Sequence, residues 1–217
     1  MPDPKSMKPK RPYNSTRRLE QARETRRQII AAARRMFIEH GYVGATIESI
    51  AQEADVAPET VFAIFGNKRT ILANLVAVSV GGDDQPIPLL QRAGPQTVLR
   101  EQDAVQQIHL FAQDISGILE RVAPVFVIMR MAAKTEPDIA DLLKNILGER
   151  LRNLGVFVER LSTRGPLREG LDIPTATEIV WTITSPEVYS LLTVDRQWSK
   201  ERYVGWLGDS LVRLLLP

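Results

Sequence analysis

The sequence predicts an all-α protein of two unequal parts, and three observations carry that prediction. Apolar residues recur at helical intervals from about residue 15 to the end, with no strand-like alternation of useful length. Glycine and proline gather in a few clusters between the periodic stretches, above all GGDDQPIPLLQRAGP at 81–95 and STRGPLREGLDIP at 162–174. Charge also divides the chain: residues 1–75 hold 13 Lys or Arg against 8 Asp or Glu, and the remainder holds 15 against 18. The excess of positive charge sits on the first part, as binding to a polyanion requires, because each phosphate neutralised releases condensed counterions.

At 217 residues, with 44% hydrophobic and 25% charged, the chain is long enough to bury a real core. It has no cysteine, which excludes a disulfide framework and thiolate chemistry. The basic amino terminus is followed by no apolar run of the signal-peptide kind. The most apolar later stretch, Val122 to Ala133, is too short to cross a bilayer and contains Arg130. A cytoplasmic protein with no membrane partner is the expectation.

In chain order, residues 1–14 contain four prolines, Lys5, Lys8, Lys10 and Arg11, and almost nothing apolar. That composition predicts a basic arm unable to fold alone, which either follows a nucleic-acid backbone or enters a minor groove, or is a solvated leader. Ser15 to His40 reads as a long helix with Leu19, Ala22, Ile29, Ile30, Ala33, Met36 and Phe37 on its apolar face, and Gly41 at its end. Its arginines, from Arg17 to Arg35, are mostly a solvated basic face, with one or two near the start of the unit available to phosphate.

The stretch TIESIAQEADVAPETVFAIFGNK, Thr46 to Lys68, has the spacing of two short helices joined by a tight turn. Ile47, Ile50, Ala51 and Ala54 share one face of the first. Asp55 stands in the turn, being one of the few residues that tolerate a left-handed backbone. Pro58 suits the first position of the second helix, whose amide would lack a partner anyway. Val61, Ile64 and Phe65 form its buried stripe and leave Pro58, Glu59, Thr60, Phe62 and Ala63 outward, as the candidate reader of DNA. Thr46 is placed to cap the first helix and to offer exposed amides to a phosphate. Glu59 suits either the helix dipole or a cytosine amino group.

From Thr25 to Leu72 the chain resembles the amino-terminal DNA-binding domain of the TetR family of transcriptional regulators. The resemblance rests on an alanine-rich helix ending in Phe37, Gly41 and Tyr42, followed by Thr46, Ile50-Ala51, Ala54, Val56, Thr60, Phe65 and Lys68 at the family's spacing. Asp55 replaces the usual turn glycine, Ala57 the usual serine cap, and Phe62 the more frequent tyrosine, whose hydroxyl would touch a phosphate. The resemblance implies DNA contacts from Thr60 and from the Lys68 ammonium. It implies a helix-turn-helix domain at 15–73 and a helical effector-binding and dimerisation domain at 74–217.

In that second part, 81–95 reads as an irregular connection. Val98 to Val122 and Pro124 to Lys134 read as separate helical segments, and Ile139 to Leu161 as an amphipathic helix. A final pair lies near 175–192, kinked by Pro186, and 199–216. The resemblance implies that this last pair forms the homodimer interface, and that a small-molecule effector binds inside the domain. Ile108, Phe111, Ile115, Phe126, Met129, Arg130 and Trp181 are the candidate lining, although an apolar stripe at helical spacing is usually core. Arg130 is expected to pair with a carboxylate such as Asp114 or to await an anionic ligand. Two distant histidines, no cysteine and no glycine-rich phosphate loop argue against an enzyme, a metal site or a cofactor. The expected function is a regulator, in the first place a repressor, that binds a pseudo-palindromic operator on double-stranded DNA as a homodimer and is released by an effector. A DNA-binding dimer without an effector is the alternative.

Overall fold

The structure is a computed structural model that describes residues 15–217, with side chains from Arg17 onward, so the basic arm at 1–14 lies outside the described residues. Every regular element described is helical. Helix α1 (Ser15–Gly44) buries Ile29, Ile30, Ala32, Ala33 and Phe37, and is interrupted at Gly41, whose φ of 68° an L side chain rarely adopts. Helix α2 (Ile47–Glu53) packs on α1 and helix α3 (Pro58–Phe65) on α2, with Ile50, Ala51, Val61 and Phe65 buried. Helix α4 (Lys68–Gly81) starts at an Asn67 cap that accepts from the Thr70 amide, and it packs against both α1 and the second part. The expected domain boundary at 73/74 falls within this one helix.

The second part is built around α6 (Ala104–Ala132), which packs against α1, α4, α5 (Ala93–Arg100), α7 (Pro137–Ser162), α9 (Pro186–Ser190) and α10 (Lys200–Leu215). Helix α8 (Ile173–Ile183) lies on α7 and α10, starting from an Asp172 cap on the Thr175 amide. Ile108, Ala112, Leu119, Val125 and Met129 of α6 are closed from solvent, as are Val158, Leu161, Leu207 and Leu211 of its neighbours.

Three expected boundaries differ. The helix containing Val98 ends at Arg100 rather than running on to Val122. The Glu101 carboxylate accepts the amides of Gln102 and Asp103 at 2.6 and 3.0 Å, and Asp103 then caps α6 by accepting from Gln106 at 2.8 Å. Conversely, α6 runs unbroken through Pro124, which stands on the exposed side, where the missing amide bond and any bend face water. The connection at 81–95 is less irregular than expected. Leu89–Gln91 form a 3₁₀ turn and α5 starts at Ala93, because Gly94 and Pro95 occupy a first turn whose amides need no intrahelical partner.

Pro186 does more than kink the penultimate helix. Helix α8 stops at Thr184, and Pro186 opens the separate α9 behind a Ser185 cap, followed by a π-helical turn at Leu191–Asp195. Among the described residues no single helix is long and apolar enough to cross a membrane; α3 and α4 reach that apolarity only together, across a 69° bend.

Candidate nucleic-acid interface and the helices behind it

Thr46 holds the entrance to α2 in a reciprocal cap. Its Oγ1 accepts from the Ser49 amide at 3.0 Å, and Ser49 Oγ accepts from the Thr46 amide at 3.0 Å. The turn closes with Val56 donating to the Ala51 carbonyl at 3.0 Å, and Asp55 takes a φ of 54° there. The aspartate thus performs the left-handed step usually given to glycine. Ala57 offers no side-chain cap to α3; Pro58 removes one of the amides that would need one, and the Thr60 amide donates to the Ala57 carbonyl at 2.9 Å.

The outer face of α3 is open. Glu59, Phe62 and Ala63 are exposed and Pro58 and Thr60 half-buried, while Val61 and Phe65 face the core. Phe62, 48% exposed, is a large apolar side chain presented to solvent on a short helix, a type of surface that meets a thymine methyl well.

Lys68 is arranged differently from the expectation. Its ammonium donates to the carbonyls of Tyr42 and Ala45 at 2.6 and 2.9 Å and lies 4.4 Å from the centre of the Tyr42 ring. Partial burial lowers its pKa. An ammonium has three protons, so one remains to face a phosphate. The main task visible here is to close the carbonyl end of the segment between α1 and α2, which sequence reasoning missed.

Of the arginines of α1, Arg26 and Arg34 turn partly inward, while Arg27 and Arg35 form exposed ion pairs of the kind expected on a solvated face. Arg26 lies 4.6 Å from the Phe65 ring centre and bonds Asn74; Arg27 pairs with Asp84 at 2.9 Å; Arg35 pairs with Glu53. Arg34 donates to Ser79 Oγ at 3.2 Å and to the Arg121 carbonyl at 3.0 Å. From the other side, Arg121 donates to the carbonyls of Ser79 and Val80, and Arg92 to that of Gly81 at 2.7 Å. The end of α4, where carbonyls have no helical partners, is therefore held by guanidiniums from α6 and from the residue that caps α5.

Residues 29–75 match the family model described as bacterial regulatory proteins of the tetR family. The helix-turn-helix part is thus a TetR-family amino-terminal domain. It is similar to the fatty acid metabolism regulator protein of Bacillus subtilis (strain 168), at 23% identity over 91% of this chain and 97% of that one. It is also similar to the HTH-type transcriptional repressor BepR of Brucella suis biovar 1, at 27% identity over 74% of this chain and 77% of that one. Among solved structures, the transcriptional regulator FadR of Bacillus subtilis in complex with stearoyl-CoA superposes with a TM-score of 0.69 at 22% identity, over 86% of this chain and 97% of that one. The TetR-family fold therefore extends over both parts: a helix-turn-helix domain and a larger helical domain.

In the larger TetR domain the candidate lining residues divide. Ile108, Phe111, Phe126 and Met129 are buried in the core, with Phe111 stacked on Phe157 at 4.0 Å between ring centres; Ile115, Arg130 and Trp181 are partly buried. The two hollows described on the surface touch none of them. One is a groove of about 340 Å³ between α8 and α10, lined by Thr175, Glu178, Ile179, Thr182, Ile183 and Leu214. The other lies along the start of α1 beside Arg17, Glu20, Arg23 and Arg27.

Arg130 pairs with Glu187 of α9, not with Asp114. Sequence distance hid this partner, because the break before Pro186 folds α9 back onto α6. Asp114 instead faces the first turn of α5, where a Cβ on Gly94 would lie 2.0 Å from its Oδ1, and burial raises its pKa.

Two further groups, one partly and one fully buried, carry no sequence motif, and the first lies within electrostatic reach of Arg130 and Glu187. Arg150 of α7 donates to the Trp181 carbonyl at 2.7 Å and to Thr184 Oγ1 at 2.8 Å, and burial lowers its pKa to about 10. Tyr203 of α10 is fully buried; its hydroxyl has no hydrogen-bond partner, and burial pushes its pKa well up.

Proposed function

We propose that this TetR-family transcriptional regulator is a cytoplasmic homodimeric repressor that binds a pseudo-palindromic operator and leaves it when a small molecule occupies the larger domain. The open outer face of α3, with Pro58, Glu59, Thr60 and Phe62 on a helix fixed from behind by Val61 and Phe65, is the observation that supports DNA reading most directly. One such helix covers only a few base pairs, so useful specificity calls for two related by symmetry. The groove between α8 and α10 supports a dimer through the expected helices. Half-buried Ile179, Ile183 and Leu214 line it, apolar residues that a second copy would cover.

Coupling between the parts would run through α4. Its start bears Lys68 and the helix-turn-helix, and its end is gripped by Arg121 of α6. A ligand that shifts α6 therefore biases the spacing of the two heads. By reciprocity, operator binding weakens ligand binding by the same factor. The similarity to the repressor BepR supports the negative sign of regulation. The packed state of Ile108, Phe126 and Met129 favours the second reading, a DNA-binding dimer with no effector.

The test is a mobility shift with the DNA flanking the protein's own gene, in excess random competitor, before and after addition of a small-molecule library. A shift that survives competitor and is reversed by a compound agrees with the proposal. A surviving shift that no compound reverses favours the second reading, and binding to random DNA alone removes both.

A further inference from the structure

We infer that α3 reads pyrimidine edges: Phe62 meets the C5-methyl of a thymine and Glu59 the amino group of a cytosine within two base pairs of it, in each half of the operator. The inference rests on the operator-binding reading above and specifies the sequence class that the operator contains.

Donors are the first argument. Guanine presents two acceptors in the major groove, and adenine an acceptor beside a donor, so purines are read by side chains that donate: arginine or lysine on guanine, asparagine or glutamine on adenine. Helix α3, PETVFAIF, holds none of these four residue types. Its neighbours do not supply them. Gln52 lies on α2, the helix that in this motif crosses the backbone. Asn67 caps α4, and Lys68 is turned toward the carbonyls of Tyr42 and Ala45. The Thr60 hydroxyl is the one side-chain donor on α3.

Glu59 supplies a second, independent argument. Its side chain is exposed and, among the described residues, no ion pair engages it, whereas Glu53 of α2 is paired with Arg35. A bare carboxylate brought against a polyanion opposes binding unless it meets a donor, and the donors on the major-groove edges are the amino groups of cytosine and adenine. Adenine sets the acceptor N7 beside its amino group, where it repels the second carboxylate oxygen; cytosine does not. Guanine offers acceptors alone. Glu59 therefore selects cytosine and rejects guanine at its position.

Geometry joins the two side chains. Phe62 follows Pro58 by four residues and Glu59 by three, so its ring shares a face with both, one helical turn further on. Three residues advance a helix by about 4.5 Å, against about 3.4 Å between successive base pairs, so the two bases lie in adjacent pairs or one pair further. Phe62 is 48% exposed, with exposed Ala63 next to it and half-buried Pro58 a turn before. Such an apolar strip gains by shedding water against another apolar group, and the thymine methyl is the one such group in the major-groove code.

The full-length protein is used to select binders from a random duplex pool, and the enriched duplex is then remade with deoxyuridine for thymidine, which removes the C5-methyl and keeps the pairing. The expected site is symmetric, with a C·G and a T·A pair within two positions of each other in each half. Uracil at that thymine is expected to weaken binding about fourfold per half-site, the worth of one methyl group withdrawn from water. Phe62→Ala is expected to bind the thymine and uracil forms equally; should it bind neither, the parent protein on the two duplexes decides alone. Glu59→Gln is expected to lose the preference for cytosine at one position of each half and to favour adenine there, because glutamine pairs with N6 and N7. A carboxylate that served the helix dipole alone would leave that preference unchanged. An enriched symmetric site that ignores uracil, or that has the same base preference in Glu59→Gln, overturns the inference and leaves operator binding standing. No enriched sequence at all removes both.

Discussion

The Lys68 ammonium donates to the Tyr42 carbonyl at 2.6 Å and lies over the ring of the same residue, so the first residue of α4 ties down the exit from α1. Replacing it by methionine leaves the carbonyls of Tyr42 and Ala45 without that donor. Lys68→Met is expected to lower unfolding free energy by about 2 kcal/mol, as expected for charge-assisted bonds, in denaturant titration. Its affinity for operator and for random DNA is expected to fall by equal factors, because a displaced head and a lost phosphate contact both act without regard to sequence.

Thr60 behaves differently because its side chain belongs to the outer face of α3, not to its core. Thr60→Val keeps the shape and removes the hydroxyl. Operator affinity is expected to fall by about 1–3 kcal/mol with random-DNA affinity nearly unchanged, measured side by side in mobility shifts. Equal losses on both DNAs would remove Thr60 as a reader.

Thr46 and Ser49 cap one another, so either substitution by alanine opens the start of α2. Each is expected to cost about 1 kcal/mol, and the double variant less than the sum, since one reciprocal cap is broken in both cases. Thermal unfolding of the four proteins checks this.

Asp114 supplies a pH prediction. Burial raises its carboxyl pKa, so between the ordinary value of an aspartate and that raised value the folded chain holds a proton that the unfolded chain has released. Its contribution is favourable at the acid end of this window and is lost as pH rises through it. Asp114→Asn is expected to gain stability relative to the parent as pH moves from acid to neutral, by denaturant titration at each pH. Gly94→Ala is expected to destabilise at any pH, because its methyl would stand 2.0 Å from Asp114 Oδ1.

The helix-turn-helix was legible because its determinants are local. Asp55 at a positive φ, Pro58 at the first position of α3 and the Thr46 cap each follow from neighbours within a few residues. The second part was legible only in class. Pro124 sits where a solvent-facing bend tolerates it, whereas Glu101 and Asp103 end one helix and start another through side chains that periodicity does not register. Tertiary partners were hidden for the same reason. Nothing near Lys68 in the sequence announces the Tyr42 carbonyl, and Arg130 finds Glu187 only because α9 returns to α6. Arg150 could have been noticed as a charge on an otherwise amphipathic helix, but its burial depends on where α8 stops.

The central claim, that two copies of α3 read a symmetric site, is tested most directly by hydroxyl-radical footprinting of the protein on the strongest-binding fragment of its own flanking DNA. The account predicts two equivalent protected patches, related by a two-fold axis and about one or two helical turns of DNA apart, which disappear together in Thr60→Val at matched protein concentration. A single patch, or protection without preferred position, would contradict it.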